Sequence, residues 1–98
     1  MTLSTQQTRF LRGEAHKLKP VVMVGANGLT DNVIEEIDRS LDTHELIKVK
    51  IRAEEREAKQ AMVETICSRT KSHKVQLMGH NLTLYRRSEK PKILLPRK

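Results

Sequence analysis

The sequence predicts an α/β fold: a compact α-β-α-β-α-β-β domain with a mixed four-stranded sheet packed by helices. Three observations carry that expectation. Apolar residues recur at helical spacing in three separate segments of a 98-residue chain, a length that suits one domain with a modest core. Two short runs, Val21 to Val24 and Leu46 to Arg52, alternate with those segments, which implies right-handed β-α-β crossovers between parallel strands. The last two strand-like runs, Lys74 to Gly79 and Leu82 to Arg87, are joined by Gly79-His80-Asn81, a tight hairpin signal that adds an antiparallel pair. The single domain is placed at residues 1–87 and a basic C-terminal tail at 88–98.

Ser4 or Thr5 can cap a first helix reaching about His16, with Leu11, Ala15 and Leu18 as its apolar seam. Arg9, Arg12 and His16 fall on roughly the opposite face, with Lys17 and Lys19 following. This helix therefore shows a basic stripe to solvent. Pro20 closes it. Val21 to Val24 is apolar on both faces, the pattern of a central strand covered on both sides.

The turn Gly25-Ala26-Asn27-Gly28 follows, then Thr30 as the N-cap of a second helix and Asp31 in its first turn. Glycines at such a turn tolerate positive φ and let another backbone approach. The helix start behind them presents free N–H groups and partial positive charge, so the natural visitor is an anion, phosphate above all. Val33, Ile34, Ile37 and Leu41 form the seam of this helix; Asp31, Glu35, Glu36, Asp38 and Asp42 line its outer face with only Arg39 opposing them. Phosphate should be repelled from its body and could meet only its N-terminal end.

From Leu46 to Arg52, Ile47, Val49 and Ile51 point one way and Lys48, Lys50 and Arg52 the other. Like charges about 7 Å apart on one strand face repel one another, so either solvent or bound phosphate must answer them. A third helix is expected from Glu54 or Glu55 to Arg69, its seam made by Ala58, Ala61, Met62, Thr65 and Ile66. Glu54, Glu55 and Glu57 at its start match the helix dipole and read as stabilisers, not catalytic acids. Ser88 to Lys98, with Pro91 and Pro96, should run extended along the surface or be partly disordered.

Against 12 acidic residues stand 19 Lys and Arg, a formal charge of +7 that favours a polyanionic partner. Phe10 and Tyr85 are the sole aromatics beside no Trp, so rows of stacked aromatic rings are not available to read bases, and phosphate and shape should dominate. The single Cys67 excludes an internal disulfide and a cysteine-rich zinc site, and reads as a small buried hydrophobe. His16, His44, His73 and His80 lack paired metal spacing. Met23, Met62 and Met78 read as core or near-core filler. No apolar run approaches membrane-spanning length, and Met1 to Arg12 holds no secretory h-region, so the expectation is a cytoplasmic protein.

Val24-Gly25-Ala26-Asn27-Gly28-Leu29-Thr30, then Val33-Ile34-Glu35 and His44-Glu45-Leu46-Ile47-Lys48-Val49-Lys50, together resemble the CRM domain (chloroplast RNA splicing and ribosome maturation). The length is similar to its stand-alone bacterial, YhbY-like form. The resemblance runs from about Leu11 to Arg87. It implies an RNA-binding module with a fold similar to the C-terminal domain of bacterial translation initiation factor three, associated with precursors of the large ribosomal subunit. The family's G-x-x-G loop corresponds to Gly25, Ala26, Asn27 and Gly28. Many members carry a lysine or arginine between the glycines; Ala26 and Asn27 stand there in this chain. Loop contacts would then rest on backbone N–H groups and the Asn27 amide, with charge from neighbours such as Lys17 and Lys19.

Three function classes follow. The first is a monomeric RNA-binding assembly factor using Arg9, Arg12, Lys17, Lys19, Lys48, Lys50 and Arg52 beside the loop, with no cofactor, metal or small-molecule substrate. The second is a small metal-dependent nuclease, which would want clustered carboxylates at a substrate-facing site. The acids here lie on one helix's outer face and another's first turn, and no nucleophile arrangement or phosphate-loop lysine motif occurs, so an enzyme is not expected. The third is a DNA-binding, general nucleic-acid chaperone or protein-binding domain.

Overall fold

A computed structural model describes residues 2–25 and 27–97. The elements are α1 (Thr5–Ala15), β1 (Pro20–Val24), α2 (Asp31–His44), β2 (Leu46–Ile51), α3 (Arg56–Thr70), β3 (His73–Met78) and β4 (Asn81–Tyr85). Ser4 caps α1 reciprocally with Gln7: Gln7 N–H donates to Ser4 Oγ and Ser4 N–H to Gln7 Oε1, both at 3.0 Å. Thr30 caps α2 by accepting from Val33 N–H at 3.2 Å. The sheet order is β1-β2-β4-β3. β1 and β2 are parallel, and β4 inserts antiparallel between β2 and β3, making the sheet mixed as expected.

Strand alternation divides the domain into unequal halves. On one face, Val22, Val24, Ile47, Val49, Ile51, Leu82 and Leu84 meet Ile34, Ile37 and Leu41 of α2 and Val63 and Ile66 of α3 in the main core. On the other, α1 sets Leu11 and Ala15 on Leu46, Val75 and Tyr85, a smaller cluster that covers one end of the sheet. The rest of that second face is open.

Several expectations are corrected here. β1 is an edge strand, not a central one, because the β1-α2-β2 crossover leaves its outer side without a partner strand while β4 takes the far side of β2. Val21 and Met23, on its uncovered face, are 46% and 51% exposed while Val22 and Val24 on the other are buried, and Met78 is 66% exposed. Only Met62 of the three methionines packs against the core. The seam of α3 is rotated from the expected one: Val63, Ile66 and Thr70 are buried, whereas Ala58, Ala61 and Thr65 face solvent. Burial follows apolar area, and Val63 and Ile66 offer more of it than alanine does; the alanines contribute helix propensity instead.

Two charged residues tie distant segments together. Arg86, just past β4, donates from one guanidinium nitrogen to Asp38 Oδ1 (2.5 Å) and Thr70 O (2.7 Å), and from the other to Asp38 O (2.9 Å) and Asp42 Oδ1 (2.8 Å). Glu45, fully buried at the end of α2, accepts through both carboxylate oxygens from the segment after β4. That segment is bent around the carboxylate and lies on the domain: Ile93 and Leu95 pack against the α1 cluster, and Gln7 Nε2 donates to Pro96 O at 2.8 Å.

Tyr85 is fully buried in the α1 cluster, and its hydroxyl lacks a hydrogen-bond partner among the described residues. Burial and the nearby Glu45 carboxylate push its phenol above the ordinary value. An unmade buried hydrogen bond costs stability, so Tyr85→Phe should be neutral or stabilising by up to about 1 kcal/mol. Urea unfolding of the two proteins checks this; a loss above that size would mean that the hydroxyl is bonded in solution.

Candidate nucleic-acid interface

The open sheet face takes its charge from strand periodicity. Ile47, Val49 and Ile51 enter the main core, so Lys48 and Lys50 must emerge on the side of α1. Both are half-buried, with their stems along the sheet. Arg12 and His16, from the exposed face and C-terminal end of α1, come down beside Lys48 and, together with Gln76, Asn81 and Thr83 of the hairpin, line a trough of about 220 Å³. Arg9 stands one turn before Arg12 and is exposed. Helix and strand thus supply one continuous basic surface.

The expected turn is present: Gly28 N–H donates to Gly25 O at 3.0 Å. Gly28 has φ +73, while a Cβ at either glycine would meet nothing within 4 Å. Its role is therefore conformational, since backbone angle rather than crowding excludes other side chains. Asn27 is exposed, and Ala26 lies outside the described residues.

Charge beside this loop comes from a different place than expected. Arg52 N–H donates to Val24 O at 3.1 Å, which sets Arg52 next to the start of the loop. Lys50, Arg52 and His80 border a second concavity at the same end of the sheet. His80 is braced there, its Nδ1 3.0 Å from Ile51 O. Lys17 and Lys19 sit at the opposite end of β1, in a groove with Leu18, Val21, His44 and Ile93. Five strand residues separate the two ends by roughly 16 Å. They cannot serve the loop directly.

The acidic body of α2 is also less bare than its sequence suggests. Besides Arg39, Arg69 of α3 pairs with Asp31 at 3.2 Å, and Arg86 takes Asp38 and Asp42. Glu35 and Glu36 remain exposed, away from the basic trough. Among the described residues, no three His, Cys, Asp or Glu side chains are grouped to hold a metal ion, and no helix is long and apolar enough to cross a membrane. Gln76, Asn81, Thr83 and His80 are the polar neighbours that sequence reading missed. The same alternation that placed Lys48 would have placed Asn81 and Thr83 once β4 was known to pair with β2.

The model of the CRS1 / YhbY (CRM) domain matches residues 3–86. The chain belongs to the CRM family. A Haemophilus influenzae member named "RNA-binding protein" is 56% identical over 97 residues, spanning 99% of this chain and 98% of the relative. A Pseudomonas aeruginosa member named "Probable RNA-binding protein PA4753" is 40% identical, spanning 93% and 88%. Among solved structures, the solution structure of the Staphylococcus aureus protein SAV1595 has a TM-score of 0.85 at 35% identity, covering 97% of this chain and all of that one. The CRM fold here is thus an α/β domain of three helices and a mixed four-stranded sheet, as expected. The match covers α1, the loop and the three strands, β2, β3 and β4, that border the basic trough.

Proposed function

We propose that this chain is a non-enzymatic, monomeric, cytoplasmic protein that binds RNA in precursors of the large ribosomal subunit and assists their assembly. The observation that carries the reading is the trough in which Arg12 and His16 of α1 meet Lys48 of β2. Such a concave basic surface suits a structured polyanion whose phosphates follow a groove better than a flat peptide. Membership of a family whose relatives are named RNA-binding proteins over nearly the whole chain supports the choice of RNA. The Gly25 to Gly28 loop, with Arg52 beside it, serves as a positioning element at one end of this surface. The exposed Asn27 amide offers a donor to a phosphate there without a cation of its own.

Crosslinking in cells, sequencing of the attached nucleic acid and gradient sedimentation test the proposal together. Ribosomal RNA and co-sedimentation with free large-subunit precursors are expected. Exclusive recovery with mature ribosomes would replace assembly with a translational role. Recovery of DNA in preference to RNA would overturn the reading.

A further inference from the structure

Strand pairing aligns four side chains in a row across the open face. Met23 pairs with Lys50, Lys50 with Asn81, and Asn81 with Met78. Residues paired across strands share a face, so this row crosses all four strands on one side. At about 4.8 Å per strand it spans roughly 14 Å. Behind it runs a second row, Lys48, Thr83 and Gln76, which forms the floor of the trough under Arg12 and His16. The surface passes without a break from guanidinium and imidazole through lysine to a flat strip ending in thioethers.

A single exposed methionine needs no explanation. Two of them in register, 51% and 66% exposed, flanking an ammonium and an amide on the basic face, form a patterned surface. Neither methionine belongs to either hydrophobic cluster. Thioethers pack well against aromatic faces, and every nucleobase has one. An Asn amide can pair with a base edge, and Lys50 can take the adjoining phosphate. In a continuous duplex the base faces are stacked and hidden; in loops, bulges and ends they are open.

We propose that Met23, Lys50, Asn81 and Met78 form a binding site for unpaired RNA nucleotides, with bases laid on the two methionines. The site rests on the RNA-binding reading above and deepens it: the trough, whose rim includes Met78 and Asn81, holds the phosphates of structured RNA, and the row continuing from that rim holds bases that leave the stack beside it. Methionine takes the place of the stacking aromatics that this chain lacks.

Binding is measured for two RNAs of equal length, a hairpin with a long unpaired loop and an uninterrupted duplex. Met23→Ala with Met78→Ala should weaken the looped RNA by about 10-fold, the combined size of two sulfur–base contacts. The duplex should lose less, since Met78 also borders the trough, and the salt dependence of both complexes should stay unchanged, because no charge has been removed. Asn81→Ala should also weaken the looped RNA more than the duplex. A folded double variant that binds both RNAs like the parent, or loses both equally, overturns the site while leaving the RNA-binding reading in place. If the parent protein binds neither RNA, both readings fall. Photo-methionine at positions 23 and 78 of the otherwise unaltered chain gives a readout that no variant's folding can compromise. Crosslinks to unpaired nucleotides are expected; crosslinks to paired nucleotides, to a protein or to nothing in an RNA-bound sample overturn the site.

Discussion

Replacing Lys48 and Lys50 together with glutamate should weaken binding to structured RNA by about two orders of magnitude at about 0.1 M salt. Both lysines emerge from β2 on the face opposite the main core, and Lys48 stands beside Arg12 and His16 in the trough. If each neutralises one phosphate, the slope of log affinity against log salt should fall by about 1.5, at roughly 0.7 to 0.9 per contact. The glutamates then add repulsion, so the glutamine pair should lose less affinity than the glutamate pair with a similar change in slope. Fluorescence anisotropy between 50 and 200 mM salt, with thermal melts to confirm the fold, measures both quantities. Unchanged affinity and slope in a folded Lys48→Glu, Lys50→Glu protein would remove the trough as the binding surface.

What the sequence disclosed and what it concealed divides along one physical line. Periodicity is local, and it was enough to place Lys48 and Lys50 on one face, to find the α2 seam of Ile34, Ile37 and Leu41, and to mark the Gly25 to Gly28 turn. Contacts between distant segments have no local signal. Nothing in the acidic run of α2 foretells that Arg69 and Arg86, 38 and 44 to 48 residues further on, meet its carboxylates. Strand order is equally non-local: an all-apolar Val21 to Val24 fits a central strand by composition, and only the insertion of β4 beside β2 makes it an edge. The row across the sheet follows from that insertion, and the exposure of Met23 and Met78 from α1 covering only the other end of that face. The same blindness separated Lys17 and Lys19 from the loop, since adjacency in sequence across an extended strand is distance in space.

Glu45 is the residue whose removal should most damage the domain itself. It closes α2 with φ 64 and ψ −42, a backbone conformation that side-chain-bearing residues rarely hold. Its N–H donates to Leu41 O and its carbonyl accepts from Arg86 N–H, both at 2.9 Å. The carboxylate, with no solvent access, receives Ser88 N–H (2.8 Å) and Ser88 Oγ–H (3.0 Å) on one oxygen and Lys92 N–H (2.6 Å) and Ile93 N–H (2.9 Å) on the other. Burial alone would push this carboxyl up, but the Ser88, Lys92 and Ile93 amides and the Ser88 hydroxyl outweigh it and hold the group below its ordinary value. One buried charge therefore fastens 88–93 to the body of the domain. Glu45→Gln puts an NH2 where donors converge, and should cost about 2–4 kcal/mol, or about 10 °C or more in Tm for a domain of this size. Glu45→Gly loses the same bonds but relieves the strained angle, so it should be no worse than Glu45→Ala.

The sign with pH follows from the depressed value. The contribution of Glu45 is fully present above the ordinary carboxyl range, near pH 4.5, and is lost as pH falls through the lower folded value. The gap in stability between the parent and Glu45→Gln should be constant near neutrality and narrow steadily in acid. In parallel, release of the anchored segment should speed tryptic cleavage after Lys92 at neutral pH, well below the unfolding temperature, because a small apolar cluster around Ile93 and Leu95 and the Gln7–Pro96 hydrogen bond are then its main ties. A Glu45→Gln protein with parental Tm and parental cleavage rate would show that the carboxylate does not anchor this segment. A loss of Tm without faster cleavage would assign the stability to the α2 terminus alone.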